Sequence, residues 1–303
     1  MEDSASYRPL VPGVASHEAL VASLEQDAPS LAGAAERAAG LAWDSAPGVG
    51  EAPGALDRQL SCVARRALGS ALFGADHDVH GSPLPAALDA LGNVPGPASA
   101  GRLDFLLRRH AARRRETGEG ADALAGLVAV HGDDVQACGE AVSLARACMG
   151  PSEVLLHWAV AVAARIPGGP LPHGFLHELL RLYPPAWLQR FAVLHEVELS
   201  GERLLPGDEA WTSPFVTQRM ERLYPQPDRF DAARAPASTP WAFFPFGARE
   251  GGAVARLVVA VVAGAVRALA ARTRMEAHGE LPQPGDGELL RPGGALQVTL
   301  LRR

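Results

Sequence analysis

The chain has 303 residues, of which 48% are hydrophobic and 20% charged, and its formal net charge at pH 7 is −6. That length is enough to bury about three quarters of the unfolded surface, and the composition excludes an intrinsically disordered chain. The negative balance excludes an overall field that would draw the chain to nucleic acid or to an anionic membrane.

The opening stretch, MEDSASYRPL, has no apolar core of a signal peptide, so a cytoplasmic location is expected. Leu20–Glu25 and Leu31–Trp43 read as short helices, separated from the next helical stretch by the breaker-rich APGVGEAPG at 46–54. Apolar spacing predicts a helix over Leu60–Phe73, stopped by Gly74 and the polar Asp76–His80. Asp76, His77, Asp78 and His80 lack the i,i+4 spacing of a helical metal site and read as a polar loop. Leu84–Leu91, a Pro- and Gly-rich loop at 92–101 and a basic helix over Arg102–Glu116 come next. The arginines ending that helix have no interleaved aromatics, so they read as a solvated face and no nucleic-acid partner is expected.

Glu140–Arg165 reads as a long apolar helix in which Pro151 removes a backbone hydrogen bond and introduces a kink. Leu171–Leu182 is helical and ends at Tyr183-Pro184-Pro185. Phe191–Leu199 and Glu209–Val216 read as extended, with turns at Gly201 and Pro206-Gly207. An irregular stretch over Pro225–Pro245 leads to a helix over Val254–Arg272, and ELLRPGGALQVTLLRR reads as a closing hairpin. The most apolar run, Leu257–Leu269, falls short of the roughly 20 residues a bilayer span needs, so no membrane span is expected. Three scattered cysteines, Cys62, Cys138 and Cys148, make neither a disulfide framework nor a paired zinc pattern. Cys148 reads as a small packing residue of its helix rather than a nucleophile or ligand.

Several segments share one texture. Glu178-Leu-Leu-Arg181 sets a carboxylate and a guanidinium one helical turn apart, and Leu182-Tyr-Pro-Pro-Ala-Trp187 comes at once after it. Downstream stand Ser213-Pro-Phe-Val-Thr-Gln-Arg219 and Pro227-Asp-Arg229-Phe, with RALGSALFG ending at Gly74 and LLRPGGALQV near the end of the chain. Together these resemble the cytochrome P-450 family, and the LRLYPPAW texture resembles bacterial members that oxidise terpenoids. The resemblance implies a mostly α fold with a small β part, lacking the N-terminal portion of the family fold. It implies one domain overall, with residues 1–59 as a divergent N-terminal helical segment and 60–303 as the cytochrome P-450-like domain. It also implies that Glu178, Arg181 and Arg229 form a buried structural ion network, in which loss of one member strands a charge.

Two departures bear on chemistry. The family's haem loop reads FxxGxRxCxG, and its thiolate is the axial iron ligand. Here the loop reads Phe246-Gly-Ala-Arg249-Glu-Gly251-Gly-Ala253, with Gly251, or Ala253 in the ungapped alignment, where the cysteine belongs. The oxygen-activating helix of the family carries AGx(D/E)TT; counting back from Trp158, Gly150 replaces the acid and Pro151 the first threonine. The resemblance therefore leads to an expectation of no haem and no monooxygenation. Two functions of different class remain. One is a non-redox cyclase or lyase acting on a lipophilic anion such as a prenyl diphosphate. Arg190 and Arg249 would grip the anion, and Mg2+ would enter only with a diphosphate, the acidic Asp133-Asp134 being the candidate ligands. No residue is assigned as catalytic. The other is a catalytically silent auxiliary protein that binds and activates a partner enzyme, such as a glycosyltransferase, through exposed apolar surface that also suits a homo-oligomer.

Overall fold

Alanine- and leucine-rich stretches favour helix because small and straight-chain residues lose little freedom there. In chain order a short strand, β1 (Tyr7–Pro9), precedes α1 (Glu18–Ser45), α2 (Ala55–Phe73), α3 (Leu84–Asn93), α4 (Pro97–Thr117), α5 (Ala123–His131) and α6 (Asp134–Ala163). After α7 (Phe175–Leu182) come strands β2 (Gln189–Val193), β3 (Val197–Leu199), β4 (Glu202–Leu204) and β5 (Glu209–Thr212). The chain closes with α8 (Pro214–Thr217), α9 (Gly252–Arg272), β6 (Thr273–Ala277) and β7 (Val298–Arg302). This computed structural model describes residues 7–9, 18–46, 54–74, 82–93, 96–117, 122–131, 134–166, 170–199, 201–236, 239–247, 252–285 and 287–303.

Helix α9 is the centre of the core and packs against α1, α2 and α6. Leu257, Val258, Val261, Val262, Ala265 and Leu269 on α9 are fully buried, and each buried Val or Leu contributes roughly 1.5–3 kcal/mol. Gly264 sets how closely α1 approaches: a Cβ there would lie 2.3 Å from the Ala32 carbonyl. Among the described residues α9 is the helix long and apolar enough to cross a membrane, but most of it is buried inside the protein. Its apolarity serves the bundle.

The mostly α architecture with small sheets agrees with the sequence reading. One antiparallel sheet has the order β1-β2-β5, β3 and β4 form a hairpin, and β6 pairs with β7. Gly201 adopts φ 85° in the β3–β4 turn, a conformation that favours glycine. The β6–β7 pair encloses residues 278–297 instead of forming the local closing hairpin that was expected.

Other boundaries also differ from the sequence reading. Two short helices were expected where α1 runs unbroken through Pro29, because its long contact with α9 outweighs one lost backbone bond. Helix α5 was not anticipated, since a short helix with apolar residues around most of its circumference shows little periodicity. The boundary drawn at residue 60 falls inside α2, and α1 packs on α2 and α9. The 76–80 loop lies outside the described residues.

Candidate functional site

The sequence ELLR on α7 builds a buried, fully partnered polar group. Glu178 and Arg181 are both buried and pair twice, Arg181 Nε to Glu178 Oε2 and Nη2 to Oε1, each at 2.8 Å. Arg181 Nη1 also donates to the Gln218 carbonyl at 2.7 Å, and Nη2 to the Arg229 carbonyl at 3.3 Å. The second cation on the carboxylate is Arg234, whose Nε donates to Glu178 Oε1 at 3.1 Å. This corrects the assignment of Arg229. That residue sends its side chain outward to Gln226 and supplies only its carbonyl to the network. The reason is the tight 226–234 turn, with Gln226 at φ 51°, which brings the Arg229 backbone inward. Arg234 further ties the carbonyls of Pro225, Gln226 and Arg229. The network is a staple between α7 and the irregular stretch after α8.

That stretch delivers the loop that precedes α9. Gln218, fully buried, donates to the carbonyls of Leu180 and Arg181 and accepts from Phe244 N at 2.9 Å. Tyr224 donates to the Ala242 carbonyl at 2.9 Å, and Ala186 N donates to Pro245 O at 3.2 Å. Phe243 stacks on His177, with ring centroids 4.2 Å apart, and burial lowers the pKa of that imidazole. Gly247 sits at φ 94° against the Gln189 side chain, where a Cβ would collide. Residues 248–251 lie outside the described residues, so Arg249 and Gly251 receive no structural account; Ala253 lies buried in the first turn of α9.

Across from this loop runs α6. Trp158 stacks on Tyr183, with centroids 3.8 Å apart, and its Nε1 donates to the Leu290 carbonyl. Trp187 Nε1 donates to the Gly287 carbonyl at 2.9 Å, so the 287–290 turn is held by two tryptophans. Gly150, where the family carries its acid, faces this turn: a Cβ would lie 2.6 Å from Leu289 Cδ1. Pro151 has no side-chain proton to relay. Ser152 is buried and its hydroxyl has no partner.

The donor chemistry near α9 does not fit haem iron. Cys148, fully buried on α6, places Sγ 4.0 Å from the Val254 carbonyl, and burial pushes its thiol well above the ordinary range. That thiol is packed in the core against the first turn of α9, with no exposed surface. Cys138 is buried elsewhere on α6, and Cys62 is exposed on α2. The sequence from Trp241 to Val254 contains no cysteine, histidine, methionine or tyrosine to take their place.

Of the remaining expected site residues, Arg190 alone has a described side chain. Arg190 is exposed on β2 and lies over the ring of Trp211, its cross-strand partner, at 5.5 Å; it faces no enclosed slot. Asp133 lies outside the described residues, and Asp134 opens α6 with its side chain likewise undescribed. Among the described residues no three His, Cys, Asp or Glu side chains cluster to hold a metal. Sequence reasoning missed Arg234; its position five residues after Arg229, in a Pro- and Asp-rich turn, was the available signal.

No family model matches the chain. It is 35% identical over 133 residues to cyclooctatin synthase of Streptomyces melanosporofaciens, covering 40% of this chain and 26% of that protein. It is 30% identical over 123 residues to putative cytochrome P450 139 of Mycobacterium tuberculosis, covering 35% and 28% respectively. It is 36% identical over 69 residues to pentalenene oxygenase of Streptomyces avermitilis, covering 23% of this chain and 15% of that protein. The matches thus span about a quarter or less of these relatives' length. A solved mutant of P450 EryK in complex with erythromycin B superposes with a TM-score of 0.63 at 19% identity, over 99% of this chain and 87% of that one.

Proposed function

From the premise that this chain belongs to the cytochrome P450 superfamily, we propose that it is a member that holds no haem, performs no oxygenation and serves as a catalytically silent auxiliary protein. The carrying observation is the donor set: the segment leading into α9 contains no cysteine, and Cys148 is buried in the core on α6. The loss of the relay groups at Gly150 and Pro151 points the same way, since both chemical stations of an oxygenase are absent while the staple that folds the chain is complete.

Exposed apolar residues favour a partner-binding role. Leu194, Leu199, Leu205, Trp211 and Val216 are all exposed and all fall within the β2 to α8 segment of the sequence; singly exposed apolar residues are ordinary, and the auxiliary reading requires that some of these meet a partner. The partner is expected to be an enzyme of the same pathway, such as a glycosyltransferase, and a second copy of this chain is the other occupant of such a face.

A second reading, a non-redox cyclase or lyase acting on a terpenoid-class lipophilic anion, draws on the printed names of two relatives, cyclooctatin synthase and pentalenene oxygenase. The outward-facing Arg190 weakens it, because its anion grip would fall to Arg249 alone. The discriminating experiment is incubation of the purified protein with geranyl, farnesyl and geranylgeranyl diphosphate plus Mg2+, alongside pull-down of pathway enzymes. Stable co-purification with one enzyme and a rise in its turnover, without hydrocarbon products, is the expected result. Cyclised hydrocarbon formed by this chain alone favours the second reading.

A further inference from the structure

A cavity of about 550 Å3 is lined by residues of α2, α3, α6 and the turn at 291–294. Its volume falls in the range of small-molecule sites, roughly 300–1,000 Å3. Its lining is unlike that expected for a terpenoid. Asp57, Arg58 and Arg65 come from α2, Asp89 from α3, His157 from α6 and Arg291 from the turn.

Several of these groups are held before any ligand arrives. Arg65 donates to Glu153 Oε1 and to Asn93 Oδ1, each at 2.7 Å, which fixes its guanidinium along one wall. The two ring nitrogens of His157 lie 2.6 Å from the Glu153 carbonyl and 3.1 Å from the Asp57 carbonyl. The main chain of Arg291 is pinned on both sides, by Arg291 N to Leu289 O and by Gly285 N to Arg291 O, each at 2.8 Å. Its side chain is exposed on the turn.

We propose that this cavity is a binding site for a small phosphate ester carrying hydroxyl groups. Guanidinium groups match phosphate oxygens with charge-assisted hydrogen bonds, and Arg58, Arg65 and Arg291 line this one space, Arg65 presenting the Nη2 left over from its bonds to Glu153 and Asn93. Asp57 and Asp89 share it, Asp89 lying 3.9 Å from Arg65 and 3.8 Å from Arg66, and Asp57 3.7 Å from His157. Carboxylates repel a bare dianion but accept from hydroxyls, so a ligand with donors beside its phosphate satisfies both halves of the lining. The proposal stands apart from the auxiliary reading and gives the chain a ligand-responsive site whichever partner it serves.

The test is calorimetric titration of the full chain with inorganic phosphate, glycerol 3-phosphate and glycerol. The ester is expected to bind about tenfold tighter than inorganic phosphate, and glycerol not at all. Arg291→Ala is expected to weaken ester binding by about tenfold or more with the melting temperature unchanged, and Arg58→Gln to weaken it independently. Asp89→Asn is expected to abolish the preference for the ester, while Arg203→Ala, outside the cavity, leaves binding as it is. Absence of heat with all three probes overturns the proposal, as does ester binding indifferent to both arginine variants. Equal affinity for phosphate and ester overturns the assigned ligand class.

Discussion

Two regions of the molecule, both tied in the family to haem and its fold, have fared differently. Around α7 every partner of a buried carboxylate is in place: Glu178 receives Arg181 twice, Arg234 once and the Asp231 amide at 3.0 Å. Along α6 and the approach to α9, Gly150 and Pro151 stand where the resembled pattern has an acid and an alcohol, and the segment before α9 has no cysteine. The first region is required for folding, because a buried charge without its partner is costly in any chain with this topology. The second is required only for oxygen chemistry. On the proposed reading, the contrast separates a retained scaffold from a discarded reaction.

The contrast breaks most visibly at the staple. Arg181→Ala leaves Glu178 buried with one cation, and a loss of about 3–5 kcal/mol is expected in urea unfolding, enough to reduce soluble yield. Arg234→Ala is expected to cost about 1.5–3 kcal/mol, the worth of a charge-assisted hydrogen bond. Arg229→Ala, whose side chain reaches only Gln226, stays within about 0.5 kcal/mol. If Arg229→Ala proves the more damaging of the two, the pairing described for Glu178 is wrong.

The same comparison sharpens on α6. Gly150→Asp restores the family's acid but drives a side chain into Leu289, and overpacking of about 1–3 kcal/mol is expected in thermal unfolding. Pairing it with Leu289→Ala is expected to recover part of that loss. Neither variant is expected to gain oxygenation.

The smallest effect concerns acid. Burial lowers the folded-state pKa of His177, with Glu178 opposing and Arg181 assisting. The unfolded chain then binds the proton more readily than the folded one, so this contribution is present above the usual imidazole range and is lost as pH falls through it. His177→Phe, which keeps an aromatic ring against Phe243, is expected to flatten the stability profile below about pH 6.5.

How legible each feature is in the sequence depends on how locally it is specified. The α7 pair was readable because two charged residues one turn apart, with Tyr183-Pro184-Pro185 directly after them, constrain each other within a few positions. The third member was not, because choosing between Arg229 and Arg234 depends on the path of a proline-rich turn that no periodicity encodes. Gly150 and Pro151 were readable as departures only against the pattern the sequence resembles. The filling of the space beside Gly150 by Leu289, from a turn 139 residues later, depends on tertiary packing alone. Arg190 was expected to face an anion and instead lies over Trp211, since strand register decides which face of β2 it occupies.

Haem stoichiometry tests the central claim most directly. The chain is to be expressed with excess haem precursor, purified, and examined by absorbance before and after reduction under carbon monoxide. No Soret band at stoichiometric intensity and no thiolate-type carbonyl band are expected. Purified protein carrying one porphyrin per chain, with that carbonyl band after reduction, contradicts the account.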